Sequence, residues 1–526
     1  MNGSKLDLDP GVVSACRQAA RQIAEQVTEQ IAGRTTVSVE RSVTRLLGVD
    51  GADSLDVPLP NVLVDHVHDR GGLGRGIAHW LGNAMLQTGR SPQQIAEAVS
   101  GSELSLTELD AADERAIHDR VMEECASRLK EISRRFDGRR AMRERLGESP
   151  APLRYVLTAT GDVYEDVVHA RAVAEAGGDI VAVIRSTAQS LLDYVPYGPT
   201  TEGYGGTFAT QANFRIMREA MDEWSEQHGR YVRLSSFCSG LCMSEIASMG
   251  AWEGFDNMVN DALYGILYRD INIVRGLIDQ RVSRMINGYF GVVINTGEDN
   301  YLRTADAIEA APSVTASQFI NHQLARESGV PDHQIALGDA FEIDVPVRNG
   351  LLYEWAQAQL TRELFPDCPV KYMPPTRHMD GNLFRTHAAD TLFNLVTIAT
   401  GQGVQTIGVP TEGIFTPHIH DRVLGLQNVD YVFNAAHDLG DEIQFKPGGI
   451  IQTRAQEVLS AAHVLLERIA QTGLFKAIEQ ATFGDVSRTV EEGRGIEGIV
   501  TTEEGYFNPV VDLMRDPAVA DEASYA

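Results

Sequence analysis

The sequence predicts an α/β fold: a (β/α)8 TIM-type barrel with a mainly helical N-terminal region and a C-terminal helical extension. Three observations carry this. Past residue 150, short apolar runs of strand length alternate with amphipathic helical patterns, the texture of parallel strands covered on both faces. Eight such units fit within roughly 250 residues, which suits a closed barrel better than an open sheet. Polar residues collect just after the strand candidates, where barrels of this kind keep their chemistry.

The leading region spans 1–150. Residues 11–32 place Val12, Cys16, Ala19, Ile23, Val27 and Ile31 at helical spacing, and Gly33 stops the pattern. A second helix is expected over 38–47, a strand over 61–67, and helices over 73–86 and 92–99, the last capped by Ser91 with Pro92 behind it. A longer helix carries Ile117, Val121, Cys125, Leu129, Ile132 and Phe136 on one face. The Gly- and Pro-containing linker 147–152 ends the region.

The barrel is expected over 151–448. Its strand candidates are 155–158, 180–184, 231–235, a weaker one at 258–263, 291–295, 334–337, 370–373 and 404–409. Helical patterns at 165–176, 351–364 and 383–399 lie between them. The extension, 449–526, opens with an amphipathic helix over 449–470, closed by Gly473, and ends in a polar tail.

One stretch, 179–207 (DIVAVIRSTAQSLLDYVPYGPTTEGYGGT), concentrates chemistry. A buried β-branched strand ends at Arg185, and Ser186, Thr187 and Ser190 follow. A guanidinium with neutral hydroxyl donors is suited to a phosphate. Gly203, Gly205 and Gly206 allow the backbone to approach a ligand closely. The plain alternative is a long surface loop with a solvated arginine. Further round the same rim stand Ser239 after the third strand, Tyr264 after the fourth and Asp299 and Asn300 after the fifth. Lys371 lies within the seventh, and Glu412 follows the eighth.

Composition excludes several classes. A formal charge of −28 and a pI near 4.9 argue against nucleic acid, whose binding needs clustered Lys and Arg. The lysines are only Lys5, Lys130, Lys371, Lys446 and Lys476, so a catalytic lysine is one of these or comes from another chain. Five scattered cysteines suit a reducing compartment. No apolar run approaches the roughly 18 residues of a membrane span, and a cytoplasmic location is expected.

Cys238 and Cys242 lack further cysteines to complete a metal set and read as packed thiols beside a Ser239-Gly240 turn. The His66/His68 and His418/His420 pairs admit a metal, as in barrel hydrolases, but the first precedes the barrel and the second lacks assignable co-ligands. None of the 14 histidines has Asp two residues before it, so the Asp-x-His-x-x-Gly cobalamin-ligand motif does not occur. A Gly-x-Gly-x-x-Gly fingerprint and a P-loop are likewise missing.

Several long stretches resemble one family. These are 36–50 (TVSVERSVTRLLGVD), 179–207, 261–272 (DALYGILYRDIN), 295–300 (NTGEDN), 371–376 (KYMPPT) and the late RAQEVL. They resemble the α subunits of lysine 5,6-aminomutases; ornithine 4,5-aminomutase is a relative with which they could be confused. The resemblance implies a barrel with pyridoxal 5'-phosphate (PLP) at its mouth. It also implies a smaller β subunit that binds adenosylcobalamin and supplies the lysine that holds PLP, in an α2β2 hetero-oligomer. It implies an isomerase that moves the terminal amino group of D-lysine or L-β-lysine from C6 to C5 by a radical 1,2-shift.

By the same resemblance, Arg185, Ser190 and Ser239 bind the PLP phosphate and Tyr264 lies against the pyridine ring. Asp299 and Asn300 contact the cofactor, and Lys371 and Glu412 stand near PLP and substrate. His418 and His420 fall outside the pattern. The alternatives are a metal-dependent barrel hydrolase and a non-catalytic scaffold or binding subunit.

Overall fold

The computed structural model describes residues 4–183, 189–297, 310–341, 343, 346–376, 379–412, 414–484 and 486–515. Eight strands close into a barrel in sequence order: β1 (Leu153–Leu157), β2 (Ile180–Val183), β3 (Arg233–Phe237), β4 (Asn257–Val259), β5 (Val293–Thr296), β6 (Ile335–Ala340), β7 (Lys371–Met373) and β8 (Val404–Thr406). All neighbours are parallel, and β8 returns to β1 with Thr406 opposite Tyr155. The expected strand at 258–263 ends at Val259 because Asp261 caps the helix Ala262–Tyr268, accepting from the Leu263 amide at 3.0 Å. The run at 404–409 pairs only to Thr406. Beyond it Ile407 and Gly408 lie against Gly425 of the helix Ile419–Ala435, an approach a Cβ on Gly425 would block.

The barrel lumen contains a polar layer drawn from alternate strands, the packing rule of such barrels. Tyr155 of β1 hydrogen-bonds Ser235 of β3 at 3.1 Å. Lys371 of β7 donates to Asn295 Oδ1 of β5 at 2.6 Å, and its ammonium lies 4.4 Å from the centroid of the Tyr155 ring.

The leading helices wrap this barrel. Pro10–Ile31 buries Cys16, Ala19, Ile23, Val27 and Ile31, as their spacing requires, against the helices Ile450–Thr472 and Ala311–Glu327. Val37–Leu46 is buried at every position, between Met243–Glu253 and Leu59–His68. That last element corrects an expectation: 61–67 is helical, not a strand. Its buried residues Leu63, Val64 and Val67 fall at helical intervals, and Pro60 stands in the first turn. The tail is also structured as far as Arg515. Ile499–Thr501 pairs antiparallel with Arg34–Thr36, and Pro509–Arg515 is a helix packed on Glu114–Leu146.

Candidate active site

The ends of β2, β3 and β4 are tied together. Ser190 lies in a short turn, Gln189–Leu191, fully buried, and its carbonyl accepts from the Leu241 amide at 3.3 Å. Ser239, also buried, precedes Gly240, whose φ of +90° suits glycine. The helix bearing Tyr264 comes close to that turn at Gly265, where a Cβ would stand 3.5 Å from the Gly240 Cα. Two buried serines and a glycine turn therefore lie beside a half-buried tyrosine. The Tyr264 ring stacks on Tyr268 with centroids 6.0 Å apart, and its hydroxyl accepts from Arg269 at 2.5 Å. Arg185, Asp299 and Asn300 lie outside the described residues.

The turn carrying Ser190 is clamped from three directions, by residues that the sequence reading did not single out. Gln189 exchanges hydrogen bonds with the Ala209 backbone at 2.7 and 2.8 Å. Asp193 receives both terminal nitrogens of Arg275, at 2.6 and 2.8 Å, and Arg41 donates to its carbonyl at 2.6 Å. Burial works to raise the Asp193 pKa, but Arg275 and then Arg41 hold it below the ordinary carboxylate value. Arg41 belongs to the fully buried helix of the 36–50 stretch, so that helix braces the site. The glycines of 203–206 serve the fold first. Gly203 donates to the Gly161 carbonyl at 2.6 Å, an approach that a Cβ on either glycine would block.

Lys371 is placed in the lumen layer, bonded to Asn295, beneath the strand ends. Glu412 stands on the loop after β8, half-buried. Burial pushes its carboxyl up to about 7, against the opposing pull of Arg422. Arg422 donates to the carbonyls of Leu157 (2.7 Å) and Pro417 (2.5 Å) and contacts His169. Behind this loop sits Asp390, which the sequence reading missed: an aspartate inside an amphipathic helix pattern carries no local signal. Burial, and then the charge of Glu412, push it up to about 8.

The metal readings find little support at this end. His66 accepts from the Leu106 amide at 3.2 Å, and His418 and His420 are exposed at the start of a helix. Cys238 and Cys242 are buried thiols that donate to the Met243 and Leu192 carbonyls, as packed thiols do. Among the described residues, the group with metal-ligand spacing is His322, Asp332 and Cys368, with ligand atoms within 4.8 Å of one another. It precedes β6 and β7, at the opposite end of the barrel, and Arg326 already donates to Asp332 at 3.1 Å.

Closed parallel topology defines a TIM barrel, and buried hydroxyls, an aromatic ring and carboxyls gather at the carboxyl ends of its strands as a candidate site. Residues 6–513 match the family model described as the D-lysine 5,6-aminomutase TIM-barrel domain of the alpha subunit. The chain is 52% identical over 511 residues to the lysine 5,6-aminomutase alpha subunit of Acetoanaerobium sticklandii, covering 97% of this chain and 98% of that one. It is also 52% identical to the corresponding subunit of Fusobacterium nucleatum, over 97% of this chain and 99% of that one. The D-ornithine 4,5-aminomutase subunit beta of A. sticklandii is 27% identical over 377 residues, 69% of this chain and 50% of that one. The chain belongs to the lysine 5,6-aminomutase α-subunit family, and so to an isomerase.

Proposed function

We propose that this chain is the large subunit of a PLP- and adenosylcobalamin-dependent aminomutase that moves the terminal amino group of D-lysine or L-β-lysine from C6 to C5. The observation that carries the reading is identity above one-half along essentially the whole chain with two such subunits. The donor set fits PLP: buried hydroxyls for a phosphate next to a half-buried aromatic ring for a pyridine. When bound, PLP supplies a carbonyl carbon for the migrating nitrogen and a conjugated ring able to spread an unpaired electron.

This chain's residues bind, orient and exclude water. Ser190 and Ser239, with Arg185, hold the phosphate. Tyr264 fixes the plane of the ring, and Asp299 and Asn300 contact the cofactor. Glu412 faces the substrate from β8. Lys371 supports the floor of the site through Asn295. Residues 151–448 form the cofactor barrel, braced by 1–150 and 449–526. Adenosylcobalamin is held mainly by a smaller β subunit, in a cytoplasmic α2β2 assembly. The missing cobalamin-ligand motif and the short list of lysines support this division of labour.

The purified chain, assayed with PLP, adenosylcobalamin and lysine, should be inert alone and active with its cobalamin-binding partner. Turnover by the chain alone would sink the two-subunit reading. Turnover of ornithine but not lysine by the pair would sink the substrate.

A further inference from the structure

Asp390, in the second turn of the helix Leu383–Thr400, is 2% exposed, and neither of its carboxylate oxygens has a hydrogen-bond partner among the described residues. Burying an unpaired carboxylate opposes folding, so such a group calls for an explanation. Its position supplies one. The carboxylate lies against Gly408, just past the end of β8, where any side chain would collide with it. Glu412, four residues further on, is the charged neighbour that Asp390 feels, and it reaches the half-open surface of the mouth. Two hydroxyls nearby in sequence also lack a hydrogen-bond partner among the described residues: Thr386 Oγ1, one helical turn before Asp390 on the same face, and Thr411 Oγ1, next to Glu412.

Among the described residues, positive charge here is scarce. Arg422, the cation acting on Glu412, is also shared with Asp166 and Asp421, and two of its nitrogens are taken by backbone carbonyls. Burial, and then the charge of Arg422, depress His169 to about 4, so it is neutral near pH 7. Burial raises both carboxyls, and the charge of Glu412 raises Asp390 further. A cation placed between them would relieve both.

We propose that Asp390 and Glu412 together seat the substrate's second ammonium group, the one that does not migrate, at the β8 side of the barrel mouth. The inference rests on the aminomutase reading, which gives the substrate one amino group that reacts and another that must be neutralised in a water-poor site. A compact ammonium with three donors matches two carboxylates better than a planar guanidinium does. Such a pair also confers specificity. A substrate lacking that ammonium leaves both carboxyls buried and unmatched, and sites built on polar complementarity reject such analogues strongly.

The test compares lysine with 6-aminohexanoate, which lacks the α-ammonium. Binding of each to the assembled PLP-loaded enzyme is followed by the change in cofactor absorbance. The wild type should prefer lysine by about 10- to 100-fold, the range of a charge-assisted interaction. In Asp390→Asn that preference should fall to within about threefold, with 6-aminohexanoate affinity nearly unchanged. Glu412→Gln is the independent arm and should compress the preference in the same direction; it carries the test if Asp390→Asn does not fold, as judged by its melting temperature. An undiminished preference in a folded variant overturns the proposal alone. No absorbance change with lysine in the wild type overturns the functional reading, and the proposal with it.

Discussion

At the scale of single residues, the buried carboxyls divide by whether a cation faces them. Burial works to raise the Asp256 pKa, but Arg218 and Arg143, in contacts of 3.1 and 2.6 Å, together with the Leu234 amide and Arg233 bring it below the ordinary value. Asp390 faces no cation among the described residues and Glu412 only the weaker pull of Arg422, and they rise to about 8 and about 7. The sign of the linkage follows. Their ordinary values lie near 4, so the folded state binds their protons more tightly than the unfolded chain does. Their contribution to stability is complete below pH about 4 and is lost as pH rises through 7 to 8. The melting temperature of the ligand-free protein should therefore fall between pH 5 and pH 8.5, and Asp390→Asn should flatten that fall. Calorimetry at both pH values checks this, and an unaltered slope in the variant would refute it. The residue types of the candidate site were legible from strand ends and motif resemblance. Asp390 was not, because a missing partner is a property of the packed interior.

At the scale of elements, the turn after β2 depends on a clamp assembled from distant segments. Arg275 is fully buried between Asp193 and Asp279, and its guanidinium also donates to the Gly495 carbonyl at 3.1 Å. Removing one partner of a buried ion network leaves the others as unpaired buried charges, at a cost of about 3–5 kcal/mol. Arg275→Met should lower stability by about that amount in urea unfolding, and faster hydrogen exchange should appear in 189–193. A loss below about 1 kcal/mol would mean that Asp193 and Asp279 find other partners. The helix Val37–Leu46, which braces the same turn through Arg41, was legible as a helix from its sequence. Its burial on every side was not, since it carries Glu40, Arg41 and Arg45.

At the scale of the whole molecule, the chain's two ends hold each other. The strand Ile499–Thr501 pairs with Arg34–Thr36. Tyr506 donates to the buried Glu40 at 2.9 Å, and Glu40 also accepts from the Ile77 amide at 2.7 Å and from Thr35 at 2.6 Å. A chain ending at residue 495 would lose the paired strand and leave Glu40 short of one donor. Its melting temperature should drop by about 1–3 °C, as about 1–3 kcal/mol would produce in a protein of this size. Differential scanning calorimetry of the two chains would show it, and an equal midpoint would mean that the tail is dispensable to the fold.

The sequence by itself determined the barrel, the order of its eight strands and the residue types at their ends, because hydrophobic period and turn chemistry are local properties that survive without a partner. The family followed from long stretches of identity. Tertiary structure decided the rest. The run at 61–67 is rich in Val and Leu, and which of them are buried, at helical intervals, shows only in the packed fold. Lys371 could have stood on the rim, but the closed barrel places it in the lumen with Asn295 and Tyr155. Asp193 and Asp390 look alike in sequence, yet one meets an arginine 82 residues away and the other meets none among the described residues. Charge compensation is set by which segments meet in space, and no local pattern records it.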